Sequence, residues 1–349
     1  MMQFEPQLLS TAIGSLPHTE PGKACDLMLD ALPEMPTWPQ LPRRSFLENM
    51  YAQYSEGLPG IRVIEEDGRI WFQVDEDLDA ELEGFYQAVI DEDLDRFAMS
   101  EEYAAGLHYF LSGALSYELG GLEFVKGQAT GPISFGLTVT DQNRRASLYN
   151  ETLEQVIVKG LALKARWQSR ELRKAAPGAK VVMFFDEPYL VSVGSALISV
   201  SREQVVRDIS DCITGSGADI NGVHCCGNTD WSVLFETGVD IVNFDAFDFL
   251  DNFIAYDGEI KAHVRRGGVI AWGIVPNDER AFDEKGEMLA GVIEGAFDTL
   301  EARGVERAAL ARQSIVSPAC GLGPASVEVA ERALALLAEV SGILRERYS

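Results

Sequence analysis

The chain has 349 residues, of which 46% are hydrophobic, and a formal net charge of −26. That length suits one large α/β barrel or two ordinary domains. No apolar run approaches the ~20 residues of a membrane span, and so acidic a chain lacks the basic contacts that nucleic-acid phosphates require.

In chain order, the N-terminus reads Met1-Met2-Gln3-Phe4-Glu5-Pro6, with no basic region leading into an apolar stretch. No export signal is read there, and a cytoplasmic protein is expected. Strand-like apolar runs fall at residues 12–16, 122–127, 181–186, 222–226, 241–245, 269–273 and 314–317. Amphipathic helices are expected over 151–175, 202–214, 278–302 and 326–345, with Ser201 and Gln204 as a capping box. Asp67-Gly68, between Val63 and Ile70, reads as a β-hairpin turn. The eighth strand is sought in that region, so the hairpin near 61–74 is read as an insertion. Acidic residues are dense between Asp75 and Asp95. A solvated helix face explains them better than a docking surface for a basic protein. Strand and helix alternate over the whole length without a linker. The expected architecture is therefore a single (β/α)₈ TIM barrel spanning residues 1–349.

The candidate chemistry sits at strand ends. His224 and Cys226 are two residues apart, so on a strand they share a face, while Cys225 points the other way into packing. Cys320 follows another strand run, and Asp245 ends a third. One His, two Cys and a carboxylate are a zinc-type donor set. Asp245 either ligates or stands behind His224. Ser15 and Asp186 also lie at C-terminal strand ends, the rim where barrel enzymes build their sites. Cys25 and Cys212 fall in helical patterns, and the five cysteines do not suggest a disulfide framework. His18, His108 and His263 have no partner in sequence and read as structural.

The ordered set of motifs resembles the catalytic, C-terminal half of the cobalamin-independent methionine synthase family. It comprises Ile13-Gly14-Ser15, Thr130-Gly131-Pro132, Asp186-Glu187-Pro188, His224-x-Cys226 and Pro318-Ala319-Cys320-Gly321-Leu322. That family belongs with the methylcobamide:coenzyme M methyltransferases and uroporphyrinogen decarboxylase in barrel design. The resemblance implies that His224, Cys226 and Cys320 hold Zn²⁺, with Asp245 in the place of a ligating Glu. It implies that Ser15, Asp186 and Glu48 receive the amino-acid part of homocysteine. Asp186 is then the residue of most direct catalytic interest.

Two departures concern the methyl donor. The family's additional N-terminal half has no counterpart in these residues. Its folate-using members also place a His after the strand matching 269–273, where this chain reads Gly273-Ile274-Val275-Pro276-Asn277-Asp278. The expected donor is therefore methylcobalamin or another methyl-corrinoid, either free or carried on a corrinoid protein. The expected reaction is attack of a zinc-held thiolate on the donor methyl. Two alternatives remain at this level: another thiol such as coenzyme M, or a non-catalytic zinc- or corrinoid-binding module of a methyl-transfer complex.

Overall fold

The computed structural model describes residues 4–114, 122–195 and 198–348. Its strands, in chain order, are β1 (Leu9–Ser10), β2 (Ile61–Ile64), β3 (Arg69–Phe72), β4 (Phe124–Thr130), β5 (Thr140–Asp141), β6 (Lys180–Asp186), β7 (Ile220–Cys225), β8 (Ile241–Asp245), β9 (Val269–Val275) and β10 (Ser314–Pro318). Seven of them form one parallel sheet in the order β1-β10-β9-β8-β7-β6-β4. The sheet curls into a half-barrel with helices in the connections, as parallel pairing requires.

Closure by an eighth regular strand, expected from the sequence, is not found among the described residues. The 61–72 region forms the expected hairpin, with Val63 opposite Ile70, but it pairs with β5 in a separate three-stranded sheet. The gap between the two ends of the main sheet is spanned instead by residues 36–40. There Thr37 bridges Lys126, and Gln40 bridges Ser15, both in parallel. Lys126 N donates to Pro36 O at 2.8 Å, Gln40 N to Gly14 O at 3.0 Å and Leu16 N to Gln40 O at 2.8 Å. Pro36 and Pro39 have no N–H to offer, so this segment cannot carry a continuous ladder. Side chains supplement it: Thr37 Oγ1 donates to Gln128 Oε1 at 2.8 Å, and Gln128 Nε2 donates to Trp38 O at 3.1 Å.

The first strand also differs from expectation. Pairing is regular only at Leu9–Ser10, and Thr11 N extends it by one bond to Val316 O. Gly14 then adopts φ +141°, which breaks the extended run before Ser15. The long helix appears as Glu151–Ala175, capped by the Asn150 side chain, and Ser201 Oγ accepts from Gln204 N at 3.1 Å as the capping box requires. The helix expected over 278–302 is divided into a short 3₁₀ turn, Glu279–Phe282, and a helix, Gly286–Ala302. Lys285, between them, is extended (φ −123°, ψ 140°). No helix among the described residues is long and apolar enough to cross a membrane.

Side-chain alternation divides the strands into two faces. One face packs against the helices in the larger core, which includes Val181, Met183, Phe185, Val223 and Cys225. The other face lines the curl. Its lower part is apolar, with Phe124, Val182, Phe184, Ile220, Ile241, Val269 and Ile315. The same face, followed to the C-terminal strand ends, carries Asp186, His224, Asn243, Asp245 and Ser317. Gly222 belongs to this face because a Cβ there would meet the Phe184 ring at 2.5 Å. Apart from Lys126 on β4, polar chemistry is therefore concentrated at one end of an apolar interior.

Candidate metal centre

His224 is the last inward-facing residue of β7, and Cys226 follows the strand's final residue. Cys320 is two residues beyond β10, whose register shifts between Ser317 and Pro318. One ligand atom from each of these three residues lies within 4.8 Å of those of the other two. They lie as much as 96 residues apart in sequence, and the parallel sheet brings them together because β7 and β10 end at the same rim.

The group fits a metal on its own chemistry. His224 is buried, yet its Nε2 has no hydrogen-bond partner. A buried polar atom of that kind is costly unless something else engages it. Its Nδ1 meets Asn243 Oδ1 at 2.6 Å. Two sulfurs and one imidazole nitrogen are a donor set that Zn²⁺ takes while keeping a fourth position open. Cys226 and Cys320 are partly exposed, so the open side is reached past the sulfurs.

Interaction with the nearby Cys320, and then with His224, pulls the Cys226 thiol down to about 4 against the opposing effect of burial. The Cys320 thiol moves up for the same reason, reinforced by burial. Burial works against a charged His224, but the Cys226 sulfur, Asp186 and Asn243 outweigh it and raise its pKa. A metal ion held by both sulfurs would displace their protons.

The other residues singled out from the sequence divide into two groups. Asp186 pairs in register with His224, and its Oδ1 is sealed from solvent without a partner. Burial pushes its carboxyl up to about 6, while His224 and Lys126 oppose the shift. Ser15 lies beside the Cys320 loop: its Oγ accepts from Gly323 N at 3.2 Å, and its carbonyl accepts from Leu322 N at 3.1 Å. Gly321 is needed there, since a Cβ would come within 2.4 Å of Ser15 Oγ.

Asp245 is not in the three-residue group. Its carboxylate caps the next helix, accepting from Asp248 N at 2.9 Å, and burial raises it to about 6. Glu48 is fully buried at the end of a 3₁₀ turn, with Oε1 bound by Arg44 and Oε2 unpartnered. Glu187, beside Asp186, has a structural task. It accepts from Ile133 N at 2.9 Å, Ser134 N at 2.7 Å and Ser134 Oγ at 2.6 Å, which anchors the Thr130-Gly131-Pro132 turn to β6.

Three residues near the site carried no distinguishing signal in the sequence. Lys126 is buried on the inner face of β4, donates to Ile13 O at 2.8 Å and lies 4.6 Å from the Phe184 ring centre. Burial lowers its pKa to about 7, against the attraction of Asp186. Tyr51 is within electrostatic reach of Tyr189, Glu187 and Cys226. Asn243 falls in the strand-like run 241–245, where an Asn alternating with apolar residues marks only an inward position.

No protein-family model matches the chain, and no curated protein matches it in sequence. Among solved structures, it is similar to a B12-independent methionine synthase from Shewanella sp. W3-18-1 in complex with selenomethionine. That match has 16% identity, covers 97% of this chain and 98% of the other, and has a TM-score of 0.58. It is also similar to a methyltransferase from Methanosarcina mazei, at 11% identity over 97% of this chain and 94% of that one, with a TM-score of 0.57. What is shared is the fold.

Proposed function

We propose that the protein is a zinc-dependent S-methyltransferase built on this α/β half-barrel, moving a methyl group from a methyl-corrinoid to a small thiol, homocysteine in the first instance. The observation that carries this reading is the convergence of His224, Cys226 and Cys320 at the rim, with His224 Nε2 buried and unpartnered. The shared fold with a methionine synthase and a methyltransferase supports it. The donor reading rests on the chain's own residues 273–278, which lack the His expected of a folate-using enzyme.

His224, Cys226 and Cys320 would hold the zinc. Bound there, the ion supplies the Lewis acidity that keeps a substrate thiol deprotonated at neutral pH, where a free thiol of pKa ~8.5 is mostly protonated. Asp186, half-buried at the rim, is suited to a substrate ammonium, whose charge would draw its raised pKa back down. Lys126, beneath it in the curl, already favours the ionised carboxylate. Ser15 holds the Cys320 loop through its Oγ and carbonyl, and so shapes the floor on which the thiol would sit.

The test combines metal analysis with a thiol-methylation assay. About one Zn²⁺ per chain is expected, with Cys226→Ser and Cys320→Ser losing it. Homocysteine should be methylated from methylcobalamin or a methylated corrinoid protein, with little turnover from methyltetrahydrofolate. Asp186→Asn should raise the homocysteine KM or lower kcat while retaining zinc. Full zinc retention by Cys320→Ser would remove that residue from the site. Efficient turnover with methyltetrahydrofolate alone would overturn the donor.

A further inference from the structure

We propose that Asn243 is a positioning residue that fixes the His224 ring and joins the His224 and Cys320 arms of the centre. This deepens the zinc reading and rests on it for the ligand, though not for the ring geometry.

The argument starts from which way the Asn243 amide must point. Asn243 is fully buried on the inner face of β8, one strand from His224. Its Nδ2 lies 2.9 Å from Ala271 O and 2.9 Å from Ser317 Oγ. A backbone carbonyl only accepts, so the atom facing Ala271 O must be the donating nitrogen. The remaining atom, Oδ1, therefore faces His224 Nδ1 at 2.6 Å and must accept. His224 consequently carries a hydrogen on Nδ1, which directs Nε2 toward Cys226 and Cys320 as the coordinating nitrogen.

The same amide spans the curl. Asn243 is on β8, Ala271 on β9 and Ser317 on β10, three residues before Cys320. β7 and β10 are not neighbours, since β8 and β9 lie between them. The chain of bonds from His224 through Asn243 to Ser317 thus links two arms that share no ladder. Ser317 Oγ donates onward to Pro318 O at 3.1 Å, at the bulge from which the Cys320 loop departs. The partner is an amide, so it orients the imidazole without adding charge to the centre.

Three variants separate the roles. Asn243→Leu removes both, Asn243→Asp keeps an acceptor for Nδ1–H but loses the donors, and Ser317→Ala cuts only the link to β10. Zinc affinity is read by competition with a chromophoric chelator. The Nδ1–H of His224 is read by ¹⁵N-resolved NMR, which is tractable with four histidines in the chain. A hydrogen-bonded Nδ1–H signal is expected in the wild type, with or without zinc, and in Asn243→Asp and Ser317→Ala. It should vanish in Asn243→Leu, with a loss of about 10–100-fold in zinc affinity. Asn243→Asp and Ser317→Ala should lose less. A purely structural role would lower the melting temperature and leave both readouts unchanged. Wild-type zinc affinity in Asn243→Leu, or an unchanged Nδ1–H signal, would overturn the proposal. Should Asn243→Leu not fold, a full wild-type affinity in both milder variants would do so. A wild type with the Nδ1–H signal but no zinc affinity would sink the zinc reading and leave the ring assignment standing.

Discussion

Gly273 lies where three backbones meet, so one added methyl group tests whether packing holds the Cys320 arm in place. A Cβ at this position would sit 2.4 Å from Phe244 O, 3.0 Å from Pro318 O and 3.1 Å from Ala319 Cα. All three are backbone atoms, and no side-chain rotation relieves the overlap. Because real Cβ contacts stay above 3.0 Å, Gly273→Ala demands an opening of more than half an ångström. Overpacking of this kind costs about 1–3 kcal/mol. Spread over 349 residues, each contributing about 2.1 cal/mol/K of unfolding entropy, this lowers the melting temperature by about 1–4 °C. The segment most able to yield is Pro318-Ala319, since β10 is already irregular between Ser317 and Pro318. Yielding there carries Cys320 away from His224 and Cys226, so zinc affinity should fall by about 10-fold or more. The assays are thermal unfolding of the metal-free protein and chelator competition for zinc. Gly295→Ala is the control: nothing lies within 4 Å of its Cβ, and in a helix interior Ala is favoured by about 0.5–1 kcal/mol. Gly273→Ala with wild-type melting and wild-type zinc affinity would refute the reasoning.

His263 predicts a pH dependence. It is buried, its Nε2 donates to Val269 O at 3.1 Å and its Nδ1 accepts from Arg266 Nη2 at 3.1 Å, so both nitrogens are engaged in the neutral form. Burial lowers its pKa from 6.5 to about 4. Below pH 6.5 the unfolded chain takes up a proton on His263 that the folded chain refuses, so the contribution of His263 to stability falls as pH drops from 6.5 to 4, by about 3 kcal/mol, opposite in sign to that of the raised Asp186 and Asp245 carboxyls. The effect is read as the difference in urea-unfolding stability between wild type and His263→Gln, which should move against the wild type as pH drops through that window; a difference constant with pH would count against it. Glu187→Ala leaves Ile133 N, Ser134 N and Ser134 Oγ without their acceptor, at a cost of about 2–5 kcal/mol, and a urea midpoint at the wild-type value would refute the anchoring role. Ser201→Ala should destabilise by about 1 kcal/mol through the lost cap on Arg202–Gly215 while zinc affinity stays constant, and a change in zinc affinity would contradict the assignment.

The sequence by itself determined whatever rests on local periodicity. Apolar runs marked most of the parallel strands, the 3.6-residue pattern marked Glu151–Ala175, and Asp67-Gly68 marked the hairpin turn. The i, i+2 spacing of His224 and Cys226 was enough to place both on one side of a strand end. Tertiary structure decided whatever depends on partners distant in the chain. Residues 36–40 occupy the gap in the half-barrel although their prolines erase a strand pattern, because isolated bridges and the Gln128 side chain replace the ladder. Asp245 looks like a ligand from its place at the end of β8, yet its carboxylate turns to the Asp248 N–H, one of the open donors at a helix start. Glu187 looks like a second rim acid until Ile133 and Ser134, more than fifty residues earlier, supply the donors that occupy it. Asn243 gains its part only when Ala271 O dictates which way its amide faces. In each case side-chain identity was legible from the sequence, but its use was set by which backbone donor or acceptor the fold brought within reach.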